Sequence, residues 1–144
     1  MATEIETLKL FKNTLIEFID EIVEIFPNEN DLIVVRIFLK DQIPIKQVID
    51  NFILKLNKPI INSGNTNDND VLTARKMVKN KDDLFFLKNN ILFEELGSDK
   101  VNHFKKLWKS ERLTKDDRET IWAWVNALII LSDKYVKLNK NNNN

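Results

Sequence analysis

The chain has 144 residues, enough for one domain with a real core and too few to expect two. Apolar residues make up 43% of it, which excludes wholesale disorder, and two glycines with three prolines leave too little turn chemistry for the many hairpins of an all-β fold. A formal charge of zero removes the basic excess that nucleic acid or an anionic membrane usually selects, and the absence of cysteine excludes a disulfide framework, a thiol nucleophile and a zinc ribbon.

The first predicted element opens at Thr3-Glu4-Ile5-Glu6, which has the form of a helix capping box. Leu8, Phe11, Leu15, Phe18, Ile19, Ile22 and Phe26 then recur at helical spacing, Glu6, Glu17, Asp20 and Glu24 take the opposite side, and Pro27 ends the helix. The turn Asn28-Glu29-Asn30-Asp31 supplies the next N-cap. Residues 31–40, DLIVVRIFLK, have the β-branched content of a buried strand, but a lone strand has nothing to pair with, so they read as a short buried helix. Pro44 suits the first position of a third helix, whose apolar stripe is Ile45, Val48, Ile49, Phe52, Ile53 and Leu56.

Residues 57–70, NKPIINSGNTNDND, are rich in turn formers and poor in apolar anchors, which predicts a mobile surface loop. A fourth helix is expected from near Asp70 to about Lys79, carrying Val71, Leu72, Ala74 and Val78. Residues 81–98, KDDLFFLKNNILFEELGS, read as two short helical turns around Asn89-Asn90, closed by Gly97 as a left-handed stop. Their apolar side chains, Phe85, Phe86, Leu87, Ile91, Leu92, Phe93 and Leu96, are expected to plug the core. Ser98 then caps a helix with Val101, Phe104, Leu107 and Trp108 on one side and Lys105, Lys106 and Lys109 on the other. Thr114 caps the last helix, which is expected to reach about Lys137, with Asp133 and Lys137 as an i, i+4 ion pair of favourable order. The closing NKNNNN, residues 139–144, is low complexity and predicts a disordered tail. The sum is an all-α fold: one domain over residues 1–138, a bundle of five to seven helices with a mobile loop near 57–70.

Within the last helix, ETIWAWVNALII at 119–130 places two tryptophans either side of Ala123. With 100° per residue, Trp124, Val125, Leu128, Ser132 and Tyr135 cluster around Ile121 as the core stripe, and Trp124→Ala is expected to cost about 3–5 kcal/mol. Trp122 falls beside Ile129 at the border of a narrow polar wedge made by Asn126, Asp133 and Lys137. There it reads as a boundary residue and as the candidate anchor of a protein contact.

Signals for chemistry are sparse. His103 is the sole histidine, and the chain has no GxGxxG, GxxxxGK[ST] or HExxH motif. A calcium loop starting at Asn65 would need Gly at its sixth position and Glu at its twelfth, where the sequence has Asp70 and Lys76. Adjacent carboxylates such as Asp82-Asp83 and Asp116-Asp117 lie near predicted helix starts, where negative charge is favourable without any catalytic role. No catalytic, metal or cofactor residue is expected, and no small-molecule substrate is implied.

Charge is unevenly spread: residues 1–31 hold eight carboxylates against Lys9 and Lys12, whereas ten Lys or Arg face six Asp or Glu from Asp99 onward. Lys105, Lys106, Lys109 and Arg112 form the candidate basic surface, and with Trp122 they complete the expected interaction residues. A helix-turn-helix order is visible here, but the second helix is Trp-rich and apolar where a recognition helix presents Arg, Asn or Gln. Weak phosphate attraction is the expectation that survives. The N-terminal Met-Ala-Thr-Glu lacks the features of a signal peptide or a myristoylation site, and no apolar run approaches the ~18 residues of a membrane span. An intracellular, non-secreted protein with no membrane partner is expected.

The succession DLFFLKNNILFEELGS, VNHFKKLWKS and ETIWAWVNALIILSDKY resembles a group of small all-helical proteins of giant nucleocytoplasmic large DNA viruses, of mimivirus or phycodnavirus type. There a "-FFL-NN-" segment likewise precedes a Leu-Trp helix and a final Ile-Trp helix. The resemblance covers about residues 81–137, with a weaker match in the N-terminal helices. It implies a viral protein acting in the host cytoplasm or viral factory, and it carries over no site residue. Together with the missing chemistry, it leads to an expected non-enzymatic interaction or scaffolding role in viral replication or assembly, with a protein partner or self-association. Weak, sequence-independent nucleic-acid binding through the lysine face is the alternative.

Overall fold

The computed structural model describes residues 3–58, 73–81 and 98–142. Its order is α1 (Glu4–Ile25), α2 (Asn30–Ile37) running on into a π-helical turn (Phe38–Gln42), α3 (Ile45–Asn57), α4 (Ala74–Lys79), α5 (Ser98–Trp108) and α6 (Lys115–Asn142). The fold is all-α, and no strand occurs among the described residues. The loop expected at 57–70 and the two turns expected at 81–98 lie mostly outside those residues.

α1 is the central helix: it packs most extensively along α6 and also touches α2, the π-turn and α3. Its buried side chains Phe11, Leu15, Phe18, Ile19 and Ile22 are the stripe read from the sequence. At its start, the Thr3 hydroxyl accepts from the Glu6 amide at 3.1 Å. The ring of Phe11 meets Phe52 edge-on at 5.7 Å, which ties α1 to α3. Buried hydroxyls are satisfied locally: Thr7 donates to the Thr3 carbonyl at 2.9 Å and Ser132 to that of Ile129 at 2.8 Å.

DLIVVRIFLK is helical, but it is not buried on all sides. Leu32, Val35 and Leu39 face the core, while Ile33, Val34 and Ile37 face outward. Its N-cap residue, Glu29, makes no side-chain cap bond and uses its carboxylate elsewhere. The π-turn closes with the Ile43 amide donating to the Phe38 carbonyl at 3.2 Å, and Ile43 is then extended because Pro44 follows it. Pro44 stands one position ahead of α3, as its N-cap.

α4 is short and begins at Ala74, capped by the Thr73 hydroxyl, which accepts from the Lys76 amide at 3.3 Å. Arg75 reaches from it to α6 and grips both carboxylate oxygens of Asp133 at 2.7 Å. This corrects the expected Asp133–Lys137 pair: a bidentate guanidinium fork outcompetes a lysine one turn away.

α6 starts in a reciprocal box. The Thr114 hydroxyl accepts from the Asp117 amide at 3.1 Å and the Asp117 carboxylate accepts from the Thr114 amide at 3.0 Å. Its far end runs through Asn142, beyond the expected Lys137. No Pro or Gly stops the helix, and Lys140 in the last turn favours the exposed carbonyls.

Candidate interaction surface

The tryptophans exchange the places assigned by helix geometry alone. Trp122 is only 4% exposed and belongs to the core, whereas Trp124 is partly buried at its edge. The buried arc of α6 includes Ile121, Trp122, Val125, Leu128, Ile129, Ser132 and Tyr135, so its centre lies about 30° from Ile121 toward Trp122. The cause is tertiary: Trp108, the last residue of α5, meets Trp122 edge-to-face at 5.6 Å. Trp122 therefore offers no outward face as an anchor, which corrects its placement on the candidate surface.

α5 is held at its C-terminal end. Leu107 and Trp108 are buried, and the Trp108 carbonyl accepts from the Arg118 guanidinium at 2.9 Å. His103 Nε2 lies 2.7 Å from a carboxylate oxygen of Glu29, which joins α5 to the turn between α1 and α2. The remaining predicted surface residues share one end of this helix. Lys105 and Lys106 lie in its last turn, and Lys109 and Arg112 follow in the turn beyond it. Lys106, Lys109 and Arg112 are exposed and Lys105 partly so. None of the four forms an ion pair among the described residues.

On α1 the outward side is acidic. Glu17, Glu21 and Glu24 are exposed and also without an ion pair among the described residues, while Asp20 is bound by Arg36 at 2.6 Å. The hydrogen bond to Asp20, then its charge, raise the pKa of the Arg36 guanidinium. Beside this face stands Trp124, its indole stacked on Phe18 with ring centroids 6.2 Å apart and planes 10° from parallel. Glu17, Asp20, Glu21, Glu24 and Trp124 line a shallow cavity of about 230 Å³. It is smaller than the ~300–1,000 Å³ of sites that enclose small molecules, and its walls are carboxylates where such sites are mostly apolar.

Across the Asp20–Arg36 pair, α2 presents Ile33, Val34 and Ile37, exposed to 43%, 48% and 48%. Their i, i+1, i+4 spacing makes one stripe. Leu54 and Ile130 are more exposed still, at 69% and 60%, but lie on other helices. The stripe had a sequence signal that pattern reading missed: residues 32–39 hold seven apolar side chains in eight, too many for one covered side of a short helix.

No helix among the described residues is long and apolar enough to cross a membrane. No family model, curated protein or solved structure matches the chain.

Proposed function

We propose that the chain is a non-enzymatic helical interaction or scaffolding protein. The observation that carries this reading is the outward stripe Ile33, Val34 and Ile37, an apolar helix face left without cover beside an acidic one. Contiguous exposed apolar side chains rimmed by charge are the usual mark of a protein contact, because covering them removes apolar area from water at little polar cost. An apolar segment of a partner protein is the occupant that fits. The resemblance of residues 81–137 to giant-virus proteins extends the reading to viral replication or assembly inside the host cell.

The test is a paired capture from the native cell with wild-type chain and an Ile33→Ser/Ile37→Ser variant as baits. The reading expects a partner retained by the first and lost by the second at unchanged thermal stability. Identical partner sets for the two baits would remove the stripe from the account.

Lys105, Lys106, Lys109 and Arg112, which form no ion pair among the described residues, support a second reading, weak sequence-independent nucleic-acid binding. Among the described residues, Trp108 and Trp122 are buried and so offer no platform on which a single strand could stack. Binding of a labelled single strand that falls steeply with salt and disappears in a Lys105→Gln/Lys106→Gln/Lys109→Gln variant would support it; no binding at low salt would end it.

A further inference from the structure

We infer that the chain associates head to tail with further copies of itself, the lysine face of one molecule docking on the acidic face of α1 in the next. Both faces are on the same chain. No ion pair among the described residues joins Glu17, Glu21 or Glu24 to Lys105, Lys106, Lys109 or Arg112. The three glutamates recur at i, i+4, i+7 along about 10 Å of helix. Lys105 and Lys106 lie in the last turn of α5 and Lys109 and Arg112 in the turn beyond it, so the four cations gather at one end of that helix.

Trp124 gives the acidic face something a bare row of carboxylates lacks. Its indole, fixed on Phe18, walls the shallow cavity that the glutamates line. A lysine or arginine entering there meets carboxylate and aromatic ring together, the pairing that favours an organic cation. A formal charge of zero means that no net repulsion opposes the approach of a second copy. The same balance disfavours a nucleic acid on the lysine face, since the phosphate backbone would feel the carboxylates of α1 as well.

Because the two faces are different patches on different helices, the contact is heterologous. Each added copy leaves one acidic and one basic face free, so growth is open unless the rotation closes a ring. Exposed charges hold it together, so it is weak and salt-sensitive.

The inference rests on the reading of the chain as an interaction protein but uses none of the α2 stripe, so the two fail separately. Sedimentation velocity of the full chain at ~10 mM and ~1 M salt tests it, these being ionic strengths at which screening acts over about 30 Å and 3 Å. Wild-type chain is expected to gain mass with concentration at low salt and to return to the 17.0 kDa monomer at high salt. Two folded variants, Glu17→Gln/Glu21→Gln/Glu24→Gln and Lys105→Gln/Lys106→Gln/Lys109→Gln, are each expected to stay monomeric alone. Mixed in equal amounts they should form a 1:1 complex that does not grow, since only one complementary pair of faces remains.

Wild-type chain that is monomeric at low salt and high concentration overturns the inference, as does association that persists in either Gln variant alone. Association abolished by Ile33→Ser/Ile37→Ser and untouched by the Gln variants also overturns it, while leaving the α2 stripe as the interaction face. If the lysine variant loses single-strand binding but self-associates like wild type, the face belongs to nucleic acid and the inference is again overturned.

Discussion

Replacing Trp122 by Ala should be among the most damaging single changes on α6, and Trp124→Ala should be mild beside it. Trp122 is 4% exposed, so nearly its whole side chain leaves water on folding. About 200 Å² of mostly apolar area at about 25 cal/mol per Å² gives an upper estimate near 5 kcal/mol. The edge-to-face contact with Trp108 adds about 1 kcal/mol, and a cavity between α5 and α6 would remain. An expected loss of about 3–5 kcal/mol follows, or about 10–15 °C in Tm for a domain of this size. Trp124 keeps part of its surface in water and loses chiefly the stack on Phe18, so about 1–2 kcal/mol is expected. Urea unfolding followed by far-UV circular dichroism measures both without relying on tryptophan emission. A loss for Trp124→Ala equal to or greater than that for Trp122→Ala would restore the arrangement predicted by helix geometry and refute the packing of Trp108 against Trp122.

Thr114→Ala should cost about 1 kcal/mol by opening the box at the start of α6, read as a lower urea midpoint at unchanged slope. Asp133→Ala should cost about 0.5–1 kcal/mol at low salt and less at ~1 M, while Lys137→Ala stays within about 0.5 kcal/mol; a double-mutant cycle with Arg75 isolates the pair. The pKa of Lys46 is raised, first by its hydrogen bond to the Tyr135 hydroxyl and then by Asp50. A raised folded-state pKa makes that stabilisation complete below the ordinary lysine value of about 10.4 and lost as pH rises through the folded-state value. Thermal stability should accordingly decline through alkaline pH, and less so in Tyr135→Phe than in wild type.

Periodicity made most of the architecture legible. The stripe Phe11, Leu15, Phe18, Ile19, Ile22 and the cap residues Thr3 and Thr114 are local signals, and they act locally in the structure. What periodicity could not supply is which neighbour covers which side. A wheel centred on Ile121 has no knowledge of α5, so it places Trp124 in the core stripe and Trp122 at the border of the polar wedge. The same blindness hid the α2 stripe: an apolar run looks equally buried on every side until the number of covering helices is known. Lys105, Lys106, Lys109 and Arg112 were readable because charge at the end of an amphipathic helix needs no partner to point outward. Their acidic counterpart was readable as charge on α1, but Trp124 standing beside it, and the bond of Glu29 to His103, depend on contacts distant in sequence.

The most direct test of the proposed interaction role is photo-crosslinking in the native cell, with a photoreactive side chain placed in turn at positions 33, 37, 54 and 130. Positions 54 and 130 are exposed apolar sites off the stripe and serve as controls. A discrete protein adduct from positions 33 and 37, absent from 54 and 130, is the predicted result. Adducts of equal yield from all four positions, or none from 33 and 37, would contradict an interaction face on α2.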